Sequence, residues 1–185
     1  IEAGYRGHKA MPGKYSITFK LNDKKVSTEA EILTNPLYPT DAAGYKEYNT
    51  IMSNMENELT TMHKMVNTMN AKREQLESLM SSLNDEKYTA LRTQITALNK
   101  KMKAWDEDMI QRKTKVYDDA DNFPAKFTAN YLFLINQTES DIPRVNQPSL
   151  DRMKELNTEW ATLKSRGVEI LEKDIPAINK KLWEA

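Results

Sequence analysis

Between Tyr15 and Leu21 apolar and polar residues alternate strictly. Tyr15, Ile17, Phe19 and Leu21 fall on one side, Ser16, Thr18 and Lys20 on the other. A period of two predicts a strand with one buried face. Asn22-Asp23-Lys24 supplies turn residues. Val26, Ala30 and Ile32 then share one face of a second strand, with Ser27, Glu29 and Glu31 opposite. Pro12-Gly13 punctuates the start of this hairpin and Asn35-Pro36 its exit. Two strands alone are marginal in water, so they either pack on the following segment or belong to a larger sheet. The preferred reading is the larger sheet, with residues 1–35 as the last strands of a sandwich-like domain. The alternative is a small β ornament on a helical domain.

Beyond a linker at 36–39 the period changes. Tyr45, Tyr48, Met52, Met55, Leu59, Met62, Val66 and Met69, then Leu76, Met80 and Leu83, are spaced by alternating steps of three and four, interrupted by Arg73. Such spacing predicts a helix over about 41–83, capped by Thr40-Asp41 and roughly 65 Å long at 1.5 Å per residue. Asn84-Asp85-Glu86 reads as a reversal. A second helix over 87–117 follows, with its seam at Tyr88, Leu91, Ile95, Leu98, Met102, Trp105 and Met109. After the acidic break at 118–122, Pro124 marks the start of a third helix over 124–137. Its run Leu132-Phe133-Leu134-Ile135 covers all sides of a helix, so this element is expected to be the most enclosed. Pro148-Ser149 opens a fourth helix over 148–173 with Met153, Leu156, Trp160, Leu163 and Ile170 in register and Gly167 at a core position. Asp174-Ile175-Pro176 restarts the chain as a short helix over 176–184. The predicted fold is mainly α: an antiparallel up-down bundle of four main helices over 40–185, preceded by the hairpin.

Composition narrows the function classes. Among 185 residues, Lys+Arg and Asp+Glu number 27 each, so the net charge is zero. A large sequence-independent nucleic-acid surface needs a cationic excess, and none is expected here. There is no Cys, which removes disulfides, thiolate zinc sites and cysteine nucleophiles. No apolar run approaches the length of a membrane span, and no signal peptide opens the chain. Three of the five Gly lie in the first 13 residues and only Gly167 follows Tyr45. Helix interiors disfavour Gly by about 1 kcal/mol, which places the change from β to helix near residue 40.

Each chemical candidate has a simpler structural reading. Six of the ten Met lie between Met52 and Met80. A Met-rich face suits an adaptable groove, but heptad spacing makes it core. Arg73 on the seam is expected to pack its stem and pair its head with a carboxylate or reach solvent. Gly167 is expected to make room for a large residue on a facing helix, a hinge being the alternative. Asp118, Asp119 and Asp121 lack the spacing and glycine of a calcium loop. His8 and His63 lack a second His at helical spacing, so no metal site is assigned. The block of Lys100, Lys101 and Lys103 and that of Arg112, Lys113 and Lys115 flank Asp106, Glu107 and Asp108. They fit a solvated face with pairs such as Asp108 with Arg112. Asn136-Gln137-Thr138 matches a glycosylation sequon. Tyr38 and Trp183 are loose aromatics for carbohydrate binding. No nucleophile elbow, phosphate loop or dinucleotide fingerprint is present, so neither a catalytic residue nor a cofactor is expected.

Several short pieces share a resemblance. Ala10-Met11-Pro12-Gly13-Lys14-Tyr15 with Phe19-Lys20-Leu21 and the Asn22-Asp23-Lys24 turn resembles the C-terminal part of bacterial secreted proteins that begin with a sortilin-like β-propeller of Asp-box repeats, often labelled glycosyl hydrolases. Phe123-Pro124-Ala125-Lys126-Phe127 is similar to a helix start in that tail, and Asp174-Ile175-Pro176-Ala177-Ile178-Asn179 to its closing element. Lys24 stands where that hairpin usually has Gly, and Asn35-Pro36-Leu37 replaces a charged exit. The resemblance implies an exported, cell-envelope setting and an appended module whose propeller is not in this chain. The expected function is a non-catalytic accessory module, a brace or a protein-interaction bundle. It would be partnered by upstream domains of the same protein or by a protein on the bundle face. The alternatives are a supporting domain of a glycoside hydrolase and a carbohydrate-binding module.

Overall fold

The structure is a computed structural model that describes residues 7–37, 41–116 and 118–184. Strand β1 (Gly13–Leu21) pairs antiparallel with β2 (Lys24–Ile32), Leu21 standing opposite Lys24. Asn22 turns the loop with a φ of 51°, a conformation Asn tolerates better than other non-glycine residues.

The remainder is the predicted mainly α fold with its N-terminal hairpin. Helix α1 (Ala42–Met80) starts where the Asp41 carboxylate accepts the Gly44 N–H at 2.8 Å. Thr40, the other expected cap residue, lies outside the described residues. A 3-10 turn at Glu86–Tyr88 leads into α2 (Thr89–Met109). A single turn, α3 (Asp119–Asn122), precedes α4 (Phe127–Glu139). Helix α5 (Gln147–Glu169) is capped by Asn146, whose side chain accepts the Ser149 N–H at 2.8 Å, with Pro148 in the first turn. The expected seams form the core: Tyr48, Met52, Met62, Ile95, Met102 and Trp105 are fully buried.

Named contacts give the helix directions. Thr96 lies beside Met80, and Trp105 and Met65 both flank Gly167, so α2 runs antiparallel to α1. The Thr128 hydroxyl donates to the Met109 carbonyl and the Tyr48 hydroxyl to that of Glu139. Helix α4 therefore continues in the direction of α2, covering the N-terminal half of α1. Helix α5 returns alongside α1, with Trp160 opposite Glu58 and Gly167 opposite Met65.

Five expectations on local structure are corrected. The second helix ends at Met109 rather than near 117, because Ile110 turns extended (φ −133°, ψ 137°) and the chain folds back on Asp106. The Asp108–Arg112 pair therefore does not form. Arg112 instead grips Asp106 through Nε and Nη2, each at 2.6 Å, while Asp108 pairs with Arg166 at 2.8 Å. The third helix begins at Phe127, with Pro124 on the irregular lead-in. It is not enclosed on all sides, since Phe133 is 65% exposed. The chain also does not restart at Pro176. A π-helical turn, Ile170–Asp174, carries α5 directly into α6 (Ile175–Glu184). Widening the ladder there accommodates a ring that lacks an N–H and would clash in a regular turn.

The apolar face predicted for the hairpin is not covered by the helices: no residue from Tyr15 to Ile32 is buried. Tyr15 at 37% and Val26 at 69% exposure bracket most of the row. Among the described residues only its base meets the bundle, where Pro12, Ile32 and Leu33 line a cleft of about 280 Å³ with Tyr45, Ile142 and Pro143.

Candidate functional site

The bare hairpin is the structure's main candidate. Its cross-strand register pairs Gly13 with Ile32, Tyr15 with Ala30, Ile17 with Thr28, Phe19 with Val26 and Leu21 with Lys24, so one face is a mainly apolar strip in which Thr28 and Lys24 are the polar members. The other face pairs Lys14 with Glu31, Ser16 with Glu29, Thr18 with Ser27 and Lys20 with Lys25. The Thr18 and Ser27 hydroxyls share a hydrogen bond of 2.9 Å. Lys20 and Lys25 set like charges opposite each other, which weakens a two-stranded pair. Exposed apolar strips of this kind mark interaction surfaces in soluble proteins.

The segment before the hairpin is tied down by a residue that sequence spacing left unassigned. His8 donates its backbone N–H to Glu56 Oε1 at 2.8 Å, and its Nδ1 lies 3.0 Å from Glu56 Oε2. Its Nε2 lies 2.9 Å from Asn49 Oδ1. Burial opposes charging of the ring, but the hydrogen bonds to Asn49 and Glu56 and the nearby carboxylates outweigh it, so the His8 pKa is raised. The one available signal was on α1: Asn49 and Glu56 are seven residues apart, hence on one helical face.

The other candidates resolve into packing or surface roles. Met52, Met55, Met62 and Met69 are core. Arg73 sits 3.7 Å from Glu77 and donates to Asn70 at 3.2 Å, as its seam position suggested. Gly167 faces the Trp105 ring, whose Nε1 donates to the Leu163 carbonyl at 2.7 Å. Asp119 accepts the backbone N–H groups of Lys115 and Val116, which lowers its pKa and commits one of its oxygens to the local turn. His63 is exposed on α1. Lys101 bridges Asp174 at 2.7 Å and Glu169 at 3.3 Å, so this part of the lysine block clamps α2 to the π turn.

The sequon Asn136-Gln137-Thr138 lies within α4. Thr138 is 1% exposed and donates to the Leu134 carbonyl at 2.8 Å. In the folded chain this threonine is hidden from a transferase. Trp183 is 91% exposed near the end of α6, and Tyr38 lies outside the described residues. Burial pushes the phenols of Tyr48 and Tyr131 up to about 12, so both stay neutral hydrogen-bond donors at physiological pH. No group of three metal-ligating side chains converges among the described residues, and no described helix is long and apolar enough to cross a membrane. Compared with known proteins, the chain matches no family model, no curated protein and no solved structure.

Proposed function

We propose that the chain is a non-catalytic accessory module of a larger exported β-propeller protein. The helical bundle is a brace, and the hairpin is the attachment that docks it on a neighbouring β domain. One observation carries this reading: the apolar strip from Tyr15 to Leu21 and from Val26 to Ile32 is exposed, with Phe19 at 67% and Val26 at 69%. Strands of this composition gain stability by burial against a second layer. The bundle supplies what a brace requires, since α1 alone is 39 residues long and is packed by α2 and α4 along both halves. The exported setting and the propeller rest on the resemblance of the hairpin and of residues 123–127 and 174–179.

The test is association with the upstream domains. The coding sequence preceding Ile1 identifies them, and an Asp-box propeller there is the expected result. Hydrogen exchange across Tyr15–Ile32 should slow when those domains are joined to the chain, and Phe19→Lys with Val26→Lys should abolish that protection. Unchanged exchange in the joined protein would remove the docking role, and a different upstream neighbour would remove the family setting.

A further inference from the structure

We propose that the free edge of β2 pairs antiparallel with the same edge of a second copy of this chain, joining two hairpins into one four-stranded sheet. This goes beyond the attachment role, which uses the face of the hairpin rather than its edge. A two-residue loop closes on a hydrogen-bonded pair, here Leu21 with Lys24. Bonded and non-bonded pairs then alternate along the ladder. Lys25, Ser27, Glu29 and Glu31 therefore direct their peptide groups outward from β2. Among the described residues the sheet has two strands, so nothing there occupies that edge.

The charges on β2 select the partner and the register. Centred on Thr28, two antiparallel copies of β2 overlap over all nine residues, Lys24–Ile32. Lys25 then faces Glu31 of the second copy, twice by symmetry, and Ser27 faces Glu29. On the other face Val26 meets Ala30, Thr28 meets itself at the two-fold axis and the stem of Lys24 lies along Ile32 of the second copy. Centring on Glu29 would set Glu29 against itself, and centring on Ser27 would bring Glu31 against Asp23 in the turn. A parallel, in-register pair would stack Lys25 on Lys25.

The other edge argues against itself. Self-pairing of β1 about Ile17 sets Lys14 opposite Lys20 twice, and lysines on an edge are a common guard against pairing. The monomer also carries an uncompensated contact that this dimer relieves. Lys20 stands opposite Lys25, and pairing places Glu31 of the second copy on the far side of Lys25. The arrangement is isologous and closed. It turns a hairpin that is marginal alone into a sheet of the size that holds together in water.

The experiment uses the full chain in sedimentation velocity over a concentration series. A monomer–dimer equilibrium is expected. Ser27→Pro removes an outward N–H without touching the hairpin's own ladder and should abolish the dimer. Thr18→Pro loses the same inter-hydroxyl bond on the β1 side and should leave it intact. Lys25→Glu and Glu31→Lys should each weaken the dimer on the order of tenfold, and the two together should restore it. The chain has no cysteine, so Thr28→Cys gives a single thiol at the two-fold axis. In a non-bonded pair the two Cα atoms are about 4.5 Å apart, which suits a disulfide between copies. A chain that stays monomeric, a dimer that survives Ser27→Pro, or a Thr28→Cys variant that fails to cross-link overturns the proposal. None of these outcomes depends on whether the apolar face docks an upstream domain.

Discussion

Gly167 lies directly against Trp105: a Cβ on Gly167 would come within 3.0 Å of Cε2 and Cζ2 of the indole. The ring cannot retreat, because it is fully buried and its Nε1 is bonded to the Leu163 carbonyl at 2.7 Å. The same Cβ would also sit 2.6 Å from Met65 Sδ, which is the flexible side of the contact. Glycine here sets the distance between α2 and α5.

Gly167→Ala therefore tests steric contact against helix propensity. Propensity alone favours alanine by about 1 kcal/mol, while overpacking a tight core costs about 1–3 kcal/mol. A net loss of about 1 kcal/mol is expected in urea unfolding, with a larger loss for Gly167→Val. Met65→Ala should soften the effect of Gly167→Ala by removing one of the two obstacles. A raised unfolding midpoint for Gly167→Ala would show that the helices separate freely.

Asp106 is 4% exposed and depends on Arg112, whose guanidinium binds both carboxylate oxygens. Removing the partner of a buried charge costs more than the pair itself contributes. Because Arg112 is itself 45% exposed, water screens part of that loss. Arg112→Ala should cost about 2 kcal/mol in chemical denaturation. Asp106→Asn with Arg112→Ala should recover part of it, since the unpaired charge is then gone.

The clamp at His8 predicts a pH response of defined sign. Its pKa is raised from 6.5, so the folded state binds the proton more tightly than the unfolded state. The stabilisation is complete below pH 6.5 and is lost as the pH rises through the folded pKa. An NMR titration of the His8 ring should give a midpoint above 6.5, and Glu56→Gln should lower it. Protection of the His8 amide should decline over the same interval. An unshifted His8 titration would mean that Glu56 and Asn49 do not hold the ring in solution.

None of the hairpin residues belongs to the buried core of the bundle. A chain starting at Pro36 should therefore retain a cooperative thermal transition by circular dichroism, shifted only by loss of the His8 clamp and the contacts around Pro12 and Ile32. A broad, non-cooperative melt would show that the strands complete the core.

The helix seams were legible because periodicity is local. Tyr48, Met52, Met62 and Met69 declare one face of α1 whatever packs on it, and all four are buried. Gly167 was legible for a related reason, since a missing side chain at a core position implies a large neighbour. Trp105 was the neighbour, which no spacing rule could name. The residues around His8 gave no sign of its clamp, because its partners Glu56 and Asn49 lie 48 and 41 residues away, on a helix face that looked solvated.

The order of strands and helices follows from nearest neighbours along the chain, through alternation, heptad steps, turn residues and caps. Where those elements stop and what they touch depends on groups distant in sequence. Helix α2 ends at Met109 because Asp106 captures Arg112, and the chain passes Pro176 without stopping because a π turn widens the ladder ahead of it. The alternation at Tyr15–Leu21 specified a strand with an apolar face, but burial of that face requires a second surface. Among the described residues only the base of the hairpin meets one, so the strip that reads as core in the sequence stands exposed in the fold.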